Sequence, residues 1–261
     1  MITLVLALPL VQGLPAPERA ADPFVFRSVL DRRVRVATAA LHEELWCAWD
    51  ATTCGLLKAW RGGVLFEGTV WTSAHGPQPT SRGTTLMDGF DGPVWSAIRI
   101  VRDPASPNPR LEPIGCKARW RGHEVVKGRL VLKYAIDLED GRSILVEERP
   151  EFIRPEHLFD AARMDELDFR GAQSGLWRQW RVSDCPEDVA LQVLVRRDST
   201  GRFFVDEAVA QDSIRDVPDE RGVVVETRIE SRITLGKPFP VGNVYQFWLL
   251  PQPGPAPEGG K

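Results

Sequence analysis

The densest group of side chains that could bind a ligand or transfer a proton lies in WTSAHGPQPTSRG, residues 71–83. His75 could donate, accept or transfer a proton near neutral pH. Gln78 and Arg82 could hold ligand hydroxyl groups or a carboxylate, and Trp71 supplies a flat ring. Because irregular segments on a rigid scaffold often bind ligands, these four are candidate ligand-binding residues. The alternative is a crossover loop stiffened by its prolines, in which His75 only caps neighbouring backbone.

The nine tryptophans are a second group of candidate binding residues, because an exposed indole can stack on the apolar face of a sugar. Trp46 and Trp49 have opposite strand parity, so they cannot both face outward from one regular strand. We therefore expect most of the nine rings to lie in the core. The rings predicted to be exposed are Trp60 and Trp177, because each has a charged neighbour, and the candidate pairs are Trp60 with Arg61 and Trp177 with Arg178.

Known catalytic and cofactor motifs are missing from the sequence. There is no G-x-S-x-G, no H-E-x-x-H, no P-loop and no dinucleotide fingerprint, so catalytic residues cannot be named and no cofactor is expected. The four histidines are well separated and form no cluster of metal-ligand spacing. We expect no metal site, and the sequence leans away from an enzyme without excluding one.

The cysteines are also spaced without a metal or haem motif, since none belongs to C-x-x-C or C-x-x-C-H. Cys47 and Cys54 flank an apparent hairpin turn and could form a disulfide, which would leave Cys116 and Cys185 as a long-range pair. Four buried free thiols are an equally good interpretation. The sequence leaves the pairing open.

The elements that must position these residues are almost all strands. Alternating or β-branched runs separated by Gly, Pro and Asp clusters follow residue 30, and turns are predicted at Asp50–Thr53 and at Leu138–Gly141. The one convincing helical segment is Pro155–Leu167, with proline at a plausible first-turn position. The pattern predicts an all-β fold of a dozen or more strands, a large antiparallel β-sandwich with one short helix.

Composition and net charge indicate a globular protein and bear on its partners. Hydrophobic residues at 43% and charged residues at 26% are typical of a globular chain, and 22 glycines with 21 prolines suit many turns. A net charge of −3 provides no basic field for a phosphate backbone, so nucleic acid is not an expected partner.

The two ends differ from the rest of the chain. MITLVLALPLVQG and the turn-like stretch after it, residues 1–22, are typical of a signal peptide with its linker, although the usual basic residues are missing; a buried first strand is the alternative. We expect residues 23–250 to form the sandwich and residues 251–261 a flexible tail rich in proline and glycine. The signal-peptide-like segment predicts export to the periplasm or cell envelope. No later stretch is long enough to span a membrane, so we expect no membrane span after export.

Three stretches, PFVFRSVLD, LHEELWCAWDATTCGLLKAWRGG and VLFEGTVWTSAHGPQPTSRG, resemble a β-rich module of exported bacterial multidomain proteins. In those proteins the module accompanies c-type cytochrome domains and domains similar to soluble sugar dehydrogenases. The resemblance implies the large sandwich also used by sugar mutarotases, a mutarotase-like supersandwich. Haem binding is not carried over, because this chain has no C-x-x-C-H.

The resemblance and the composition together predict an exported, non-catalytic binding or accessory module, related to carbohydrate or associated with a c-type cytochrome or sugar-oxidation system. One alternative is a sugar-acting enzyme, mutarotase-like or a lyase or hydrolase, with His75 in a cleft. By analogy with mutarotases, His75 or His123 would then work with Glu147 or Glu148, although Glu147-Glu148-Arg149 is more typical of a solvated strand end. The second alternative is a structural subunit of a membrane-bound complex, which would expose an apolar patch.

Overall fold

The computed structural model describes residues 23–71, 76–89, 92–106, 108–166, 172–197, 202–206, 209–218, 224–237 and 239–249. The signal-peptide-like segment, His75 and the C-terminal tail lie outside these residues. Within them the strands, numbered in chain order, are β1 (Phe24–Leu30), β2 (Arg33–His42), β3 (Leu45–Asp50), β4 (Gly55–Leu65), β5 (Thr80–Asp88), β6 (Trp95–Val101), β7 (Arg110–Ile114), β8 (Cys116–Val126), β9 (Arg129–Leu138), β10 (Ser143–Ile153), β11 (Ala172–Ser183), β12 (Val189–Arg197), β13 (Arg202–Asp206), β14 (Val209–Pro218), β15 (Val224–Gly236) and β16 (Val241–Leu249).

These strands form three antiparallel sheets, which confirms the predicted all-β sandwich. The first sheet is a meander in the order β1-β2-β3-β4-β5. The six-stranded sheet has the order β13-β16-β11-β10-β9-β8, and the third sheet has the order β14-β15-β12-β6-β7. In the described part of the chain no helix is long and apolar enough to cross a membrane.

One hydrophobic core joins the three sheets. It draws on residues before and after the helical segment, so strands from both halves of the sequence share an interior. Its members from the first sheet include Trp49, those from the third include Trp95 and Leu191, and those from the six-stranded sheet include Ile136 and Trp180. The predicted turns are confirmed, since β3 ends at Asp50 and β9 at Leu138, each followed by a tight turn into the next strand.

A second, smaller core lies on the other face of the first sheet. Its buried members are Leu30, Val36, Ala40, Trp46, Ala48, Leu57 and Trp60. The chain between β4 and β5 returns to the edge of the sheet, because the Val29 N–H donates to the Val70 carbonyl at 2.9 Å and the Asp31 N–H to the Pro79 carbonyl at 3.1 Å. The first sheet is therefore rolled, and both its faces are buried.

The roll needs a close backbone approach between β4 and β5. Gly62 and Gly83 are register partners, with φ angles of 138° and 111°. A Cβ on Gly62 would lie 2.1 Å from the Arg82 carbonyl oxygen, and one on Gly83 would lie 2.0 Å from that of Arg61. Only glycine fits at these positions, since a side chain would meet both a backbone clash and an unfavourable φ.

The predicted helix over Pro155–Leu167 is wrong as a single element. The structure has a 3₁₀ turn at Pro155–His157 and a short α-helix, α1, at Ala161–Glu166. Between them Phe159 leaves the helical path and packs 6.3 Å from the Phe247 ring, on the face of the six-stranded sheet that points away from the main core. Burial of this ring outweighs the modest gain from continuing the helix.

Candidate functional site

The loop residues predicted to bind a ligand do not converge in the described structure. Trp71 is 85% exposed and Arg82 is exposed. Gln78 is half-buried, and its buried Oε1 has no hydrogen-bond partner among the described residues. No hydrogen bond or ion pair among the described residues joins these three side chains. His75, the proposed acid or base, lies outside the described residues, so the cleft built around it stays a prediction.

The expectation that Trp60 is exposed is wrong. Its side chain is 1% exposed, its Nε1–H donates to the Gly63 carbonyl at 2.8 Å, and its ring stacks on Trp46 at 5.9 Å. A bulge in β4, where Leu57 is the extra residue opposite Ala48 and Trp49 of β3, changes the strand parity and turns the ring into the second core. Arg61 stays partly exposed, and its guanidinium is held by Glu44 at 3.1 Å.

Most tryptophans lie in the core, as expected from parity. Trp46 and Trp49 occupy opposite faces of the first sheet, one in the second core and the other in the main core. Both are buried because the rolled sheet has no solvent face there. The rings that are not fully buried are Trp71, Trp120 and Trp177, and of these Trp120 packs against the main core.

A buried ion pair lies in the middle of the sandwich. Glu148 is fully buried, and its Oε1 accepts hydrogen bonds from Arg178 Nε at 2.7 Å and from Trp49 Nε1 at 3.2 Å. The Tyr134 hydroxyl donates to Oε2 at 2.8 Å, and the Arg178 guanidinium carbon lies 4.4 Å from the centre of the Trp180 ring. The prediction of a solvated strand end is therefore wrong for Glu148. Its carboxylate is shared among three donors and has no open side for a substrate.

The groups around this ion pair are held in their protonated forms. Burial, followed by the nearby Glu148 charge, raises the pKa of Tyr134 well above its usual value. Burial also raises the pKa of the Cys47 thiol, and raises that of Cys54 to about 12. A thiol that stays protonated is a poor nucleophile and a poor metal ligand. The cluster is suited to holding the sheets together and not to catalysis.

All four cysteines are free thiols in this structure. The register of β3 and β4 places Cys47 opposite Ala59, while Cys54 lies in the turn beyond the last pair, Asp50 and Gly55. The proposed Cys47–Cys54 disulfide therefore does not form, because the two residues are not cross-strand partners. The alternative of buried thiols describes this pair.

The opposite side of the six-stranded sheet carries a different set of side chains. We call this side, at β10, β11 and β16, the outer face. Trp177 and Tyr245 are direct register partners, and their rings lie 6.2 Å apart with an angle of 9° between their planes. Asn243 Oδ1 accepts hydrogen bonds from Trp177 Nε1 and from Gln179 Nε2, both at 3.1 Å. The result is a half-buried pair of aromatic rings bordered by two amides.

Neighbouring elements enclose this aromatic pair on two sides. Phe159 and Met164 of the helical segment pack with Ile153 and Phe247 at one end. On β10, Glu151 is the register partner of Trp177. The pair therefore has apolar neighbours at one end and Glu151 beside it on β10.

A cavity of about 380 Å³ next to the first sheet is less suited to a ligand. Lys58 Nζ donates to Asp31 Oδ2 at 2.9 Å and to the Ser81 hydroxyl at 2.7 Å. Burial alone would raise the pKa of Asp31, but hydrogen bonds from Ser81 and Lys58 lower it below the usual value. The carboxylate therefore stays ionised, and these internal bonds already occupy it.

A cavity of about 460 Å³ lies at the β8–β9 end of the six-stranded sheet and is lined by Val126, Lys127, Arg129, Val131 and Arg149. We call it the basic cavity. Glu147 accepts from Arg149 at 3.4 Å, and Glu151 lies 3.4 Å from Arg129 Nε. Arg149 Nε is buried and has no hydrogen-bond partner within the described residues.

The histidine–carboxylate arrangement of the enzyme alternative is not assembled by the described residues. His123 is exposed on β8, and no described contact joins it to Glu147 or Glu148. His42 instead stacks on Phe152 at 3.9 Å and accepts the Glu44 N–H at Nδ1. Across the described ranges no three His, Cys, Asp or Glu residues form a group that could hold a metal ion.

Sequence reasoning missed Gln179, Asn243 and Tyr245 altogether. The signal was available, because Trp177 and Gln179 are two residues apart and a period of two places them on the same face. The sequence-based prediction instead was an exposed pair of Trp177 with its neighbour Arg178. Neighbouring residues of a strand lie on opposite faces, so Arg178 lies on the other side of the sheet. Arg178 is 3% exposed, so the expectation for that residue is wrong.

Comparison with known proteins adds little to this geometry. No protein-family model matches the chain, and no curated protein matches it. Among solved structures, one that is similar is the crystal structure of 4-alpha-glucanotransferase from thermococcus litoralis, with a TM-score of 0.32 and 8% sequence identity. The alignment covers 87% of this chain and 40% of the length of that one. A likeness this weak carries no argument about fold or function.

Proposed function

We propose that this protein is an exported, non-catalytic module that binds saccharide on the outer face of its six-stranded sheet. The observation that carries the proposal is the pairing of Trp177 and Tyr245 beside the amides of Gln179 and Asn243. In this arrangement an apolar platform and directional polar groups lie next to each other on rigid strands.

The two halves of this arrangement match the two halves of a sugar's surface. Aromatic rings cover the apolar C–H face of a pyranose, while amides donate to and accept from its hydroxyl groups. Asn243 Oδ1 is already occupied by Trp177 and Gln179, which fixes the orientation of both side chains. The Asn243 NH₂ group and the Gln179 carbonyl oxygen have no described partner and are the atoms we assign to ligand hydroxyls.

A binding role fits the described carboxylates better than a catalytic one. Glycoside cleavage needs two carboxyl groups facing each other across a substrate. Glu148 is enclosed in the core, while Glu147 and Glu151 are engaged with Arg149 and Arg129 on the outer face.

Isothermal titration calorimetry against neutral cello-, xylo-, manno- and malto-oligosaccharides tests the proposal. We expect at least one series to bind, and Trp177→Ala to weaken that binding by about tenfold or more, because it removes half of the aromatic platform. Gln179→Ala should weaken binding less, because it removes one polar contact. Thermal unfolding of each variant checks that the fold is kept.

Trp71→Ala is the matched control, since Trp71 is the most exposed indole and lies far along the chain from the outer face. Binding that survives Trp177→Ala but is lost in Trp71→Ala would move the site to the predicted loop and contradict the proposal. Failure to bind any of the four series would contradict it for neutral saccharides.

Export and association with a c-type cytochrome or sugar-oxidation system remain part of the proposal. They rest on the leader-like segment and on the resemblance of Phe24–Gly83 to exported modules. Amino-terminal sequencing of the mature protein from a periplasmic fraction should find a start between residues 14 and 23. A mature chain that begins at Met1 in the cytosol would contradict export.

A further inference from the structure

We infer that the saccharide bound on the outer face is acidic, with its carboxylate placed in the basic cavity. This inference rests on the proposed function and extends it to a substrate class, uronic-acid-containing oligosaccharides. Three cationic side chains line the cavity, although the whole chain has a net charge of −3. The basic character is therefore local.

The register of β10 and β11 places the basic cavity next to the aromatic pair on the same face. Arg149 is the register partner of Gln179, and Glu151 is the register partner of Trp177. Each outer-face side chain of β11 therefore has an outer-face neighbour on β10. Side chains at such cross-strand positions stand about 5 Å apart. An oligosaccharide that stacks on Trp177 and extends over Gln179 would bring the substituents of its next residue to Arg149.

The charges in the cavity leave one cation without a carboxylate. Glu147 is engaged with Arg149 and Glu151 with Arg129, whereas no described ion pair involves Lys127. Lys127 lies at the turn between β8 and β9 and is exposed, with φ at 51°. It can therefore turn its ammonium group towards a ligand carboxylate without breaking an existing pair.

Arg149 supplies a second reason to expect an anionic or strongly accepting group. Its Nε–H is buried and has no described hydrogen-bond partner, although Glu147 contacts the same guanidinium through NH2. Leaving a buried donor unpaired is unfavourable, and a carboxylate oxygen is the acceptor that a guanidinium binds best. Val126 and Val131 form apolar walls that would strengthen such a contact by excluding water.

The matched ligands for the test are oligogalacturonate and its methyl ester, which share a backbone and differ in the charge of the carboxyl groups. Calorimetry should show the acid binding about tenfold more tightly than the ester at low salt. The advantage should shrink when NaCl is raised from about 0.05 M to about 0.5 M, because exposed charges are screened.

Lys127→Gln should remove most of the preference for the acid and weaken binding of the ester much less. Lys117→Gln is the matched control, because Lys117 is an exposed lysine at the other end of β8. Arg149→Lys keeps the charge but removes the Nε–H, and it should weaken the acid form more than the ester.

The outcomes separate the inference from the proposed function. Equal binding of acid and ester, with both lost in Trp177→Ala, would overturn the inference and leave the saccharide-binding proposal standing. If neither the acid, nor the ester, nor any neutral series binds, both the inference and the saccharide-binding proposal are overturned. Inorganic phosphate that competes as strongly as galacturonate would identify a general anion site and overturn the assignment to uronic acid.

Discussion

Acidic residues on the two faces of strand β10 differ in their burial and in their partners. Glu148 points into the core and is held by three donors, with no exposed surface. Glu147 and Glu151 point outward and pair with arginines across 3.4 Å, with about a quarter to a third of each side chain in solvent. Glu148, a buried charge with fixed partners, is therefore only one residue away from Glu147, a partly exposed charge. Alternation, and not residue type, decides which role each carboxylate has.

The difference follows from the cost of removing a charge from water. A buried carboxylate is tolerated only when a counter-charge and hydrogen bonds replace its hydration. Glu148 receives all of these from three other strands, since Trp49 lies on β3, Tyr134 on β9 and Arg178 on β11. On the outer face part of each glutamate side chain stays in water, so its solvation does not depend on protein donors alone. Only the outer face therefore has charges that are available to a ligand.

The largest expected effect is on the inner face. Glu148→Gln should lower the free energy of unfolding by about 3 to 5 kcal/mol, because it leaves the Arg178 charge buried without a counter-charge. Glu147→Gln on the same strand is the matched control and should change it by about 1 kcal/mol or less. Urea unfolding followed by tryptophan fluorescence measures both.

A double variant sharpens that comparison. Glu148→Leu combined with Arg178→Met removes both charges, so it should be more stable than Glu148→Gln alone, as for other buried pairs replaced by apolar residues. Equal losses in the Glu148 and Glu147 variants would contradict the distinction between the faces. So would a double variant that is less stable than Glu148→Gln.

The second effect is a loss of stability at alkaline pH, again specific to the inner face. Burial raises the pKa of Cys54 from 9.0 to about 12, and the pKa of Cys47 is raised further in the same direction. Between the unfolded and folded pKa values the folded chain binds more protons, so stability is present below pH 9 and falls as pH rises. At about pH 10 ionisation of each buried thiol should lower the free energy of unfolding by about 1 kcal/mol.

Unfolding by urea at intervals from about pH 7 to about pH 10 measures this slope. Cys54→Ala should flatten it. Cys185→Ala is the matched control and should flatten it less, because that thiol is half-buried and its pKa is raised by a smaller burial effect. Identical slopes in the native chain and in Cys54→Ala would contradict the assignment.

How far the sequence could predict this molecule depends on which interactions are local. The turns at Asp50 and Leu138 follow from nearby residues, and so does the sandwich class. Alternation even indicates the place of Glu148, since Ile144 and Val146 precede it at intervals of two and both are buried. What the sequence does not show is that Arg178, 30 residues away, pairs with Glu148. Without this counter-charge a buried carboxylate is unfavourable.

The candidate site was less predictable for the same reason. The bulge at Leu57 reverses the parity of β4 before Trp60, and no residue type indicates it. The pairing of Trp177 with Tyr245 joins residues 68 positions apart through the register of β11 and β16. Period two places Gln179 beside Trp177, but only the strand order shows that Asn243 orients them both.

The smallest expected effect concerns the outward charges and their sensitivity to salt. Glu151→Gln removes the partner of Arg129 and should change the free energy of unfolding by less than about 1 kcal/mol at low salt. In about 1 M NaCl even this difference should vanish, because the pair is open to screening ions. The loss caused by Glu148→Gln should persist at the same salt concentration, since ions do not reach the core. If salt reduced both effects equally, the inner carboxylate would be as open to ions as the outer one, and the contrast between the two faces of β10 would be wrong.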